Sequence, residues 1–164
     1  MNIVLLGYGS IGKYYLKLLK RFNYKKIYII DIIKLEKKIS ENIYLLNFNI
    51  FKRKKIKADY AFICTPSNYH FEQAKYFINN NVNVLIEKPF VLKYTDALKL
   101  TNLLKKKKIK CWTVFQNRIN PSIKISKKLI SKNYLGDINF IDCKLVWNRN
   151  KKYYQKSWRG SYST

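Results

Sequence analysis

Short apolar runs alternate with segments of helical periodicity over the first two thirds of the chain. Runs of β-branched and aromatic residues are typical of buried strands, and apolar spacings of three and four are typical of helices packed on a sheet. The predicted strands are residues 2–6, 27–30, 43–46, 60–64, 82–86 and 110–116. Their alternation with helices predicts an α/β fold with a doubly wound parallel sheet.

Three helices are predicted between these strands. The first has an apolar face formed by Ile11, Tyr14, Tyr15, Leu18, Leu19 and Phe22. The second has one formed by Phe71, Ala74, Phe77 and Ile78. Thr95 and Asp96 predict the capped start of the third. Between residues 32 and 57 the pattern predicts only the short strand at 43–46 and a lysine-rich exposed turn after it.

The pattern changes after Gln116. Pro121 predicts the start of a helix that runs to about Lys132, and residues 138–147 alternate as in a long strand. A strand needs partners, and the residues that follow this one are typical of a loop. We therefore expect residues 1–117 to form one domain and residues 118–164 to form the start of a truncated α+β second domain.

Composition predicts a soluble globular protein. With 164 residues, of which 48% are hydrophobic, the chain can bury a core, which excludes a disordered tail. The N-terminus lacks the apolar length of a signal peptide or membrane span, so we expect a cytoplasmic protein with no membrane partner. Three cysteines without metal-binding spacing predict buried thiols and no metal site.

The net charge of +25 raises the possibility of a polyanion partner. Lysines supply most of the basic residues and are spread along the chain with many Ile, Asn, Tyr and Phe residues, as in an AT-rich coding sequence. We therefore expect solvated surface charge and no nucleic-acid partner. A basic nucleic-acid binder remains an alternative that rests on charge alone.

A glycine motif, Gly7-Tyr8-Gly9-Ser10-Ile11-Gly12, lies between the first strand and the first helix. In this context, with Asp31 closing the next strand, the G-x-G-x-x-G spacing is typical of a Rossmann dinucleotide-binding unit. The glycines allow a tight turn, approach to a pyrophosphate and close helix packing, while the helix start offers free N–H groups. Asp31 can accept hydrogen bonds from the adenosine ribose, which favours NAD; Lys34 keeps NADP possible.

Two later loops follow strands of the same predicted sheet. Residues 64–70, Cys-Thr-Pro-Ser-Asn-Tyr-His, should border the cofactor, because ligands lie beyond the carboxyl ends of the strands in such sheets. His70, the only histidine, is either a capping or packing residue or a base. Lys88 in Glu87-Lys88-Pro89 can take a hydroxyl proton beside a nicotinamide, and a salt-bridged Glu87–Lys88 surface pair is the alternative.

These motifs, in this order, resemble the Gfo/Idh/MocA oxidoreductases. The resemblance covers essentially the whole chain and implies an NAD(P)-binding domain, followed by a domain whose mostly antiparallel sheet often mediates homo-oligomerisation. It implies that Lys88 is the catalytic or substrate-orienting lysine. The implied cofactor-binding residues are Gly7, Gly9, Ser10, Ile11, Gly12, Asp31, Thr65, Pro66, His70 and Glu87.

The last part of the chain resembles the branch of this family that oxidises nucleotide-linked sugars for surface polysaccharide, for which the type substrate is UDP-N-acetylglucosaminuronic acid, oxidised at its 3-hydroxyl. The motifs include Gln116-Asn117-Arg118 and Ser157-Trp158-Arg159-Gly160. The implied substrate residues, besides Lys88, are Arg118, Tyr153, Tyr154, Trp158 and Arg159. Arginines suit a carboxylate or phosphate, and aromatic residues suit a sugar or base, although each aromatic could equally be packed in the second domain.

Family members carry a further glycine-rich stretch and a histidine that works beside the lysine, and this chain matches neither. We therefore expect it to be the N-terminal portion of a longer NAD-dependent dehydrogenase, able to hold a dinucleotide but not to complete the site. A dehydrogenase of a free sugar or inositol is the alternative within the enzyme class. A non-catalytic dinucleotide-binding regulator is the alternative outside it.

Overall fold

The computed structural model describes residues 1–33 and 36–155, without the side chains of residues 152 and 153. The chain divides into two compact units, Met1–Val114 and Phe115–Thr164. The strands of the first unit are β1 Asn2–Leu6, β2 Lys26–Ile30, β3 Lys37–Ser40, β4 Ile43–Leu46, β5 Tyr60–Ile63, β6 Asn83–Ile86 and β7 Cys111–Thr113. The helices are α1 Ser10–Leu19, α2 Phe48–Arg53, α3 His70–Asn79 and α4 Tyr94–Lys107 in the first unit, and α5 Pro121–Ser131 and α6 Lys151–Gln155 in the second.

The seven strands form one sheet in the order β3-β4-β2-β1-β5-β6-β7. All neighbours are parallel except β3 and β4, which pair antiparallel. The chain winds to one side of β1 through β2 and β4, and to the other side through β5, β6 and β7. The predicted α/β fold with a doubly wound, mainly parallel sheet is therefore confirmed, and the point where the strand order reverses lies between β1 and β5.

The core lies on both faces of the sheet. Alternate side chains of β1 point to opposite faces, so that Ile3 and Leu5 pack with α1 while Val4 and Leu6 pack with the cluster around Phe77 and Leu100. These four side chains of β1 are buried. Burying each aliphatic side chain contributes about 1.5–3 kcal/mol, so β1 is a rigid base for the loop that follows it.

Helix α1 is rotated relative to the face predicted from its sequence. Its buried residues are Gly12, Leu16 and Leu19, whereas Ile11 and Tyr14 are exposed, and Phe22 lies beyond the helix end and is also exposed. The prediction treated all large apolar residues as one face. The close contact of Gly12 with the preceding turn fixes the rotation instead, because a glycine can approach backbone more closely than any larger residue.

Two further local predictions were wrong. The lysine-rich stretch after β4 contains α2, whose start is capped by the Asn47 side chain accepting a hydrogen bond from the Ile50 amide at 2.8 Å. Helix α4 begins at Tyr94, one residue before the predicted cap Thr95, and Lys93 at its N-cap position gives no side-chain hydrogen bond. Asp96 does lie in the first turn, where its charge favours the helix N-terminus.

The second unit contains the predicted helix α5, with Pro121 in its first turn and the Asn120 side chain accepting from the Ser122 amide. Residues 138–147, predicted as a long strand, carry no strand pairing. Their apolar alternation is that of a strand, but no described segment pairs with them, and a single extended segment has no sheet hydrogen bonds of its own. Among the helices the structure describes, none is long and apolar enough to cross a membrane.

Candidate functional site

The glycine turn after β1 packs closely against the loop after β5. Gly7 has a φ of +88°, and its amide donates to the Ile30 carbonyl at 2.8 Å. A Cβ on Gly7 would lie 2.8 Å from the Cys64 carbonyl oxygen. Both the left-handed backbone and the contact require glycine, so the β1 and β5 loops meet directly at the strand reversal.

The other two glycines of the motif have opposite surroundings. A Cβ on Gly12 would lie 1.9 Å from the Gly7 carbonyl oxygen, whereas a Cβ on Gly9 would meet nothing within 4 Å. Gly12 therefore lets α1 pack on the turn, and Gly9 leaves open space in front of it. Helix α1 has no side-chain cap and no acidic residue in its first turn, so its N–H groups are available to an anion such as pyrophosphate.

The Asp31 carboxylate connects the end of β2 to the glycine turn through hydrogen bonds. One carboxylate oxygen accepts the Tyr8 amide at 2.6 Å, and the other accepts the Ile32 amide at 2.6 Å. A carboxylate oxygen has room for a second donor, so each can still accept a ribose hydroxyl. Lys34, which kept NADP possible, lies outside the described residues.

Replacing Asp31 with alanine is expected to weaken NADH binding about tenfold and to reduce the preference for NADH over NADPH. The change removes the acceptor for the ribose and the negative charge that repels a 2′-phosphate, and a hydrogen bond to a charged group contributes about 1.5–3 kcal/mol. Quenching of protein fluorescence by each nucleotide measures both affinities. Replacement of Asp59, which lies before β5 at the opposite edge of the sheet, is the control; an unchanged NADH to NADPH ratio in the Asp31 variant would contradict the assignment.

The loop after β5 is held by side chains of α3. The Thr65 hydroxyl donates to the Gln73 side-chain oxygen at 2.6 Å. His70 is only 1% exposed, and its Nε2 and Nδ1 lie 2.9 Å from the carbonyl oxygens of Thr65 and Pro89. His70 therefore joins the loop after β5 to the loop after β6, and neither ring nitrogen is exposed to a bound ligand.

The loop after β6 carries Glu87, Lys88 and Pro89, with a cis Lys88–Pro89 peptide bond. The Glu87 carboxylate accepts the Tyr15 hydroxyl at 2.9 Å and the Lys88 amide at 3.2 Å. Lys88 is exposed, and its ammonium forms no ion pair within the part of the chain that the structure describes. The alternative of a salt-bridged Glu87–Lys88 pair is therefore not seen.

Two ionisable groups beneath these loops are held in their neutral forms. Burial raises the pKa of the Tyr15 hydroxyl, and the hydrogen bond to Glu87 raises it further. Burial, followed by the charge of Glu87, raises the pKa of the Cys64 thiol to about 12. At neutral pH Tyr15 is therefore a hydrogen-bond donor, and Cys64 is an unreactive thiol.

The predicted cofactor residues of the first unit lie at the carboxyl edge of one sheet, in the loops after β1, β2, β5 and β6 and in the first turns of α1 and α3. Sequence reasoning missed Tyr15 and Gln73, which hold these loops from α1 and α3. The available signal for Tyr15 was its position three residues after Gly12, on the side of α1 that approaches the sheet.

Among the substrate residues predicted in the second unit, the structure describes the side chains of Arg118 and Tyr154. Arg118 is exposed, with its guanidinium 5.2 Å from the Phe115 ring centroid, and Tyr154 is 48% exposed in α6. The side chain of Tyr153 and all of Trp158 and Arg159 lie outside the described residues. Across residues 1–33 and 36–155, no cluster of three or more His, Cys, Asp or Glu side chains could hold a metal ion.

Comparisons with known proteins agree with this geometry. A family model described as the oxidoreductase family with an NAD-binding Rossmann fold, GFO_IDH_MocA, matches residues 1–115. YhhX, an uncharacterized oxidoreductase of Escherichia coli K12, is 38% identical over 77 residues, which cover 46% of this chain and 22% of YhhX.

Solved structures show the same fold. The WlbA dehydrogenase of Bordetella pertussis, solved with NADH and UDP-GlcNAcA, superposes with a TM-score of 0.81 at 21% identity over 97% of this chain and 49% of that one. The myo-inositol 2-dehydrogenase of Lactobacillus plantarum superposes with a TM-score of 0.68 at 18% identity over 84% of this chain and 43% of that one. The chain thus spans about half the length of these structures.

The family model covers well over half of the chain, and the open glycine turn, the uncapped start of α1 and the Asp31 carboxylate fit the dinucleotide that this family binds. The chain therefore belongs to the Gfo/Idh/MocA oxidoreductase family, and its residues 1–115 form the NAD-binding Rossmann domain of that family.

Proposed function

We propose that this protein is an NAD-dependent oxidoreductase that transfers hydride between a nucleotide-linked sugar and nicotinamide, with a UDP-N-acetylhexosaminuronate oxidised at its 3-hydroxyl. The observation that carries the proposal is the position of Lys88: it follows β6, at the carboxyl edge where dinucleotides bind in such sheets, and its ammonium is exposed and unpaired among the described residues. A surface-polysaccharide pathway is the setting in which such a product would be used.

The proposed chemistry divides between the cofactor and this chain. Bound NAD supplies the hydride acceptor. Lys88 Nζ, as the neutral amine, accepts the proton of the reacting hydroxyl while the hydride passes from carbon to the nicotinamide, so that one C–H bond and one O–H bond break and a carbonyl forms. The N–H groups of α1 bind the pyrophosphate, Asp31 binds the adenosine ribose, and the loops carrying Thr65, Pro66 and Glu87 border the nicotinamide half.

The substrate class rests on chemistry of the second unit and on the comparisons. The arginines at 118 and 159 suit the charged groups of a uronic acid or diphosphate, and the aromatic residues at 153, 154 and 158 suit a sugar or base face. The solved structures of similar fold include the WlbA dehydrogenase of Bordetella pertussis bound to UDP-GlcNAcA. We expect a homo-oligomer and no nucleic-acid partner.

A substrate panel tests the proposal. Protein expressed from its native reading frame is incubated with NAD and, in separate reactions, UDP-GlcNAcA, UDP-GlcNAc and myo-inositol, and NADH formation is followed by absorbance. We expect turnover with UDP-GlcNAcA and much less with UDP-GlcNAc, which is the corresponding UDP-sugar without the carboxylate. Turnover with myo-inositol alone would favour a free-polyol dehydrogenase instead. NADH binding with no turnover on any of the three would favour a non-catalytic dinucleotide-binding regulator.

A further inference from the structure

The turn formed by Glu87, Lys88 and Pro89, here called the lysine turn, is held at both ends and free in the middle. At its first residue, the Glu87 carboxylate accepts the Tyr15 hydroxyl at 2.9 Å. At its last residue, the Pro89 carbonyl oxygen lies 2.9 Å from His70 Nδ1. The side chain of Lys88 between them is exposed.

Tyr15 reaches the lysine turn from the helix that follows the glycine turn. Its ring packs against Phe62 of β5, with the centroids 5.8 Å apart, and this contact fixes the direction of its hydroxyl. The Glu87 oxygen that faces Tyr15 is not the one that accepts the Lys88 amide, so the carboxylate bridges the helix and its own turn. Tyr15 thereby connects the proposed pyrophosphate site to the lysine turn.

His70 holds the lysine turn from the start of α3. Its ring is 1% exposed and lies between two carbonyl oxygens, that of Thr65 at Nε2 and that of Pro89 at Nδ1. Carbonyl oxygens only accept hydrogen bonds, and a neutral imidazole carries one N–H, so the ring holds the lysine turn in the tautomer in which Nδ1 donates to the Pro89 carbonyl. Both nitrogens face these carbonyl oxygens and the ring is buried, so His70 itself does not contact a nucleotide or a sugar.

We propose that Tyr15 and His70 are positioning residues that clamp the two ends of the lysine turn, Tyr15 through the Glu87 carboxylate and His70 through the Pro89 carbonyl, and so aim Lys88 at the nicotinamide. The inference rests on the proposed function only for the catalytic task of Lys88. The clamping itself requires only that the chain bind a dinucleotide.

The clamp acts on one half of the cofactor. The adenosine half would bind at Asp31 and the glycine turn, and the nicotinamide half would then be held by the loops after β5 and β6. A loosened lysine turn should therefore weaken binding of NADH while leaving ADP-ribose, which lacks nicotinamide, almost unaffected. A general loss of stability would weaken both ligands alike, so the ratio of their dissociation constants separates positioning from folding.

The first test replaces the Tyr15 hydroxyl. Tyr15→Phe keeps the ring and its contact with Phe62 but removes the donor to Glu87. In the 164-residue chain, we expect the Kd for NADH to rise about fivefold to tenfold, as for loss of a hydrogen bond to a charged group, with the Kd for ADP-ribose within twofold of wild type. Tyr14→Phe is the matched control, because Tyr14 is the preceding residue of the same helix and is 59% exposed. An unchanged NADH to ADP-ribose ratio in Tyr15→Phe overturns the proposal.

The second test uses the two nitrogens of His70 separately. Asparagine carries its amide nitrogen near the position of Nδ1, and glutamine carries its amide nitrogen near that of Nε2. His70→Asn can still donate to the Pro89 carbonyl and should keep the ratio of the NADH and ADP-ribose dissociation constants near that of wild type. His70→Gln can donate only to the Thr65 carbonyl and should raise this ratio, as Tyr15→Phe does. Equal ratios in the two variants would remove His70 from the clamp.

The two proposals fail in different ways. If wild-type protein turns over no sugar nucleotide but Tyr15→Phe still raises the NADH to ADP-ribose ratio, the clamp stands and the proposed reaction falls. If turnover is found and Tyr15→Phe changes neither that ratio nor the exchange rate of the Lys88 amide with deuterium, the reaction stands and the clamp falls.

Discussion

Replacing Gly12 with alanine is expected to destabilise the NAD-binding unit by about 3 kcal/mol, the upper end of the cost of overpacking. The added Cβ would lie 1.9 Å from the Gly7 carbonyl oxygen. Both groups in this clash belong to the backbone, so no side chain can rotate to relieve it. Either α1 must move away from β1 or the glycine turn must rearrange. Urea unfolding followed by circular dichroism measures the loss.

Gly9→Ala is the matched control, since a Cβ there would meet nothing within 4 Å. Its effect on stability should stay below about 1 kcal/mol, because Gly9 is only the N-cap residue of α1 and has a negative φ. It should nevertheless weaken NADH binding, because the methyl group enters the space through which a pyrophosphate approaches. If both variants unfold at the same urea concentration, the close approach of α1 to the glycine turn does not exist.

Elements whose signals are local were predictable. Five of the predicted strands lie within one residue of the observed bounds, and the glycine turn and Asp31 lie where the motif places them. The β-branched composition of these strands and the glycine spacing act within a few residues, so they can be recognised in sequence alone. The same holds for α5, which Pro121 opens as predicted.

Contacts between distant residues were not predictable. The Tyr15–Glu87 hydrogen bond joins residues 72 positions apart, and the His70 contact with Pro89 spans 19 positions. Within α1, only the spacing of three residues from Gly12 distinguishes Tyr15 from Tyr14 as the residue that faces the sheet. That choice follows from the Gly12 contact with Gly7, which depends on how the helix docks.

Residues 138–147 show the opposite error, in which a local signal was clear but insufficient. Alternating apolar residues such as Ile141, Leu145 and Trp147 predicted a strand, yet these side chains are exposed and the backbone is unpaired. A strand is stabilised by hydrogen bonds and side-chain contacts with its neighbours, and these come from other segments. Periodicity therefore predicts which residues can form a strand, whereas pairing decides whether they do.

Replacing Lys88 with methionine is expected to lower turnover by about 10²- to 10⁴-fold, the usual contribution of a general acid or base. Methionine keeps most of the length and apolar character of the lysine stem but can neither accept nor donate a proton. Because Lys88 is exposed and the Glu87 carboxylate is held by Tyr15 and the Lys88 backbone, the change should leave the fold and the lysine turn intact. The NADH dissociation constant should therefore stay close to that of wild type.

Two further variants decide what Lys88 contributes. Lys88→Arg keeps a positive charge but cannot release a proton at any pH used, so it distinguishes proton transfer from simple charge stabilisation. If Lys88 carries the proton, the arginine variant should be as inactive as the methionine variant; if Lys88 only stabilises developing negative charge, the arginine variant should keep measurable turnover. Lys106→Met, in the last turn of α4, is the control for loss of one surface charge.

A comparison of turnover with the NADH dissociation constant in these variants determines whether Lys88 takes part in the reaction. Loss of an interaction made only in the transition state lowers kcat and kcat/KM together and leaves NADH binding unchanged. If Lys88→Met instead weakened NADH binding with unchanged kcat, the lysine would hold the cofactor rather than act on the substrate. Undiminished turnover in both Lys88 variants would remove the lysine from the mechanism, and the proton acceptor would then have to come from another residue at the carboxyl edge of the sheet.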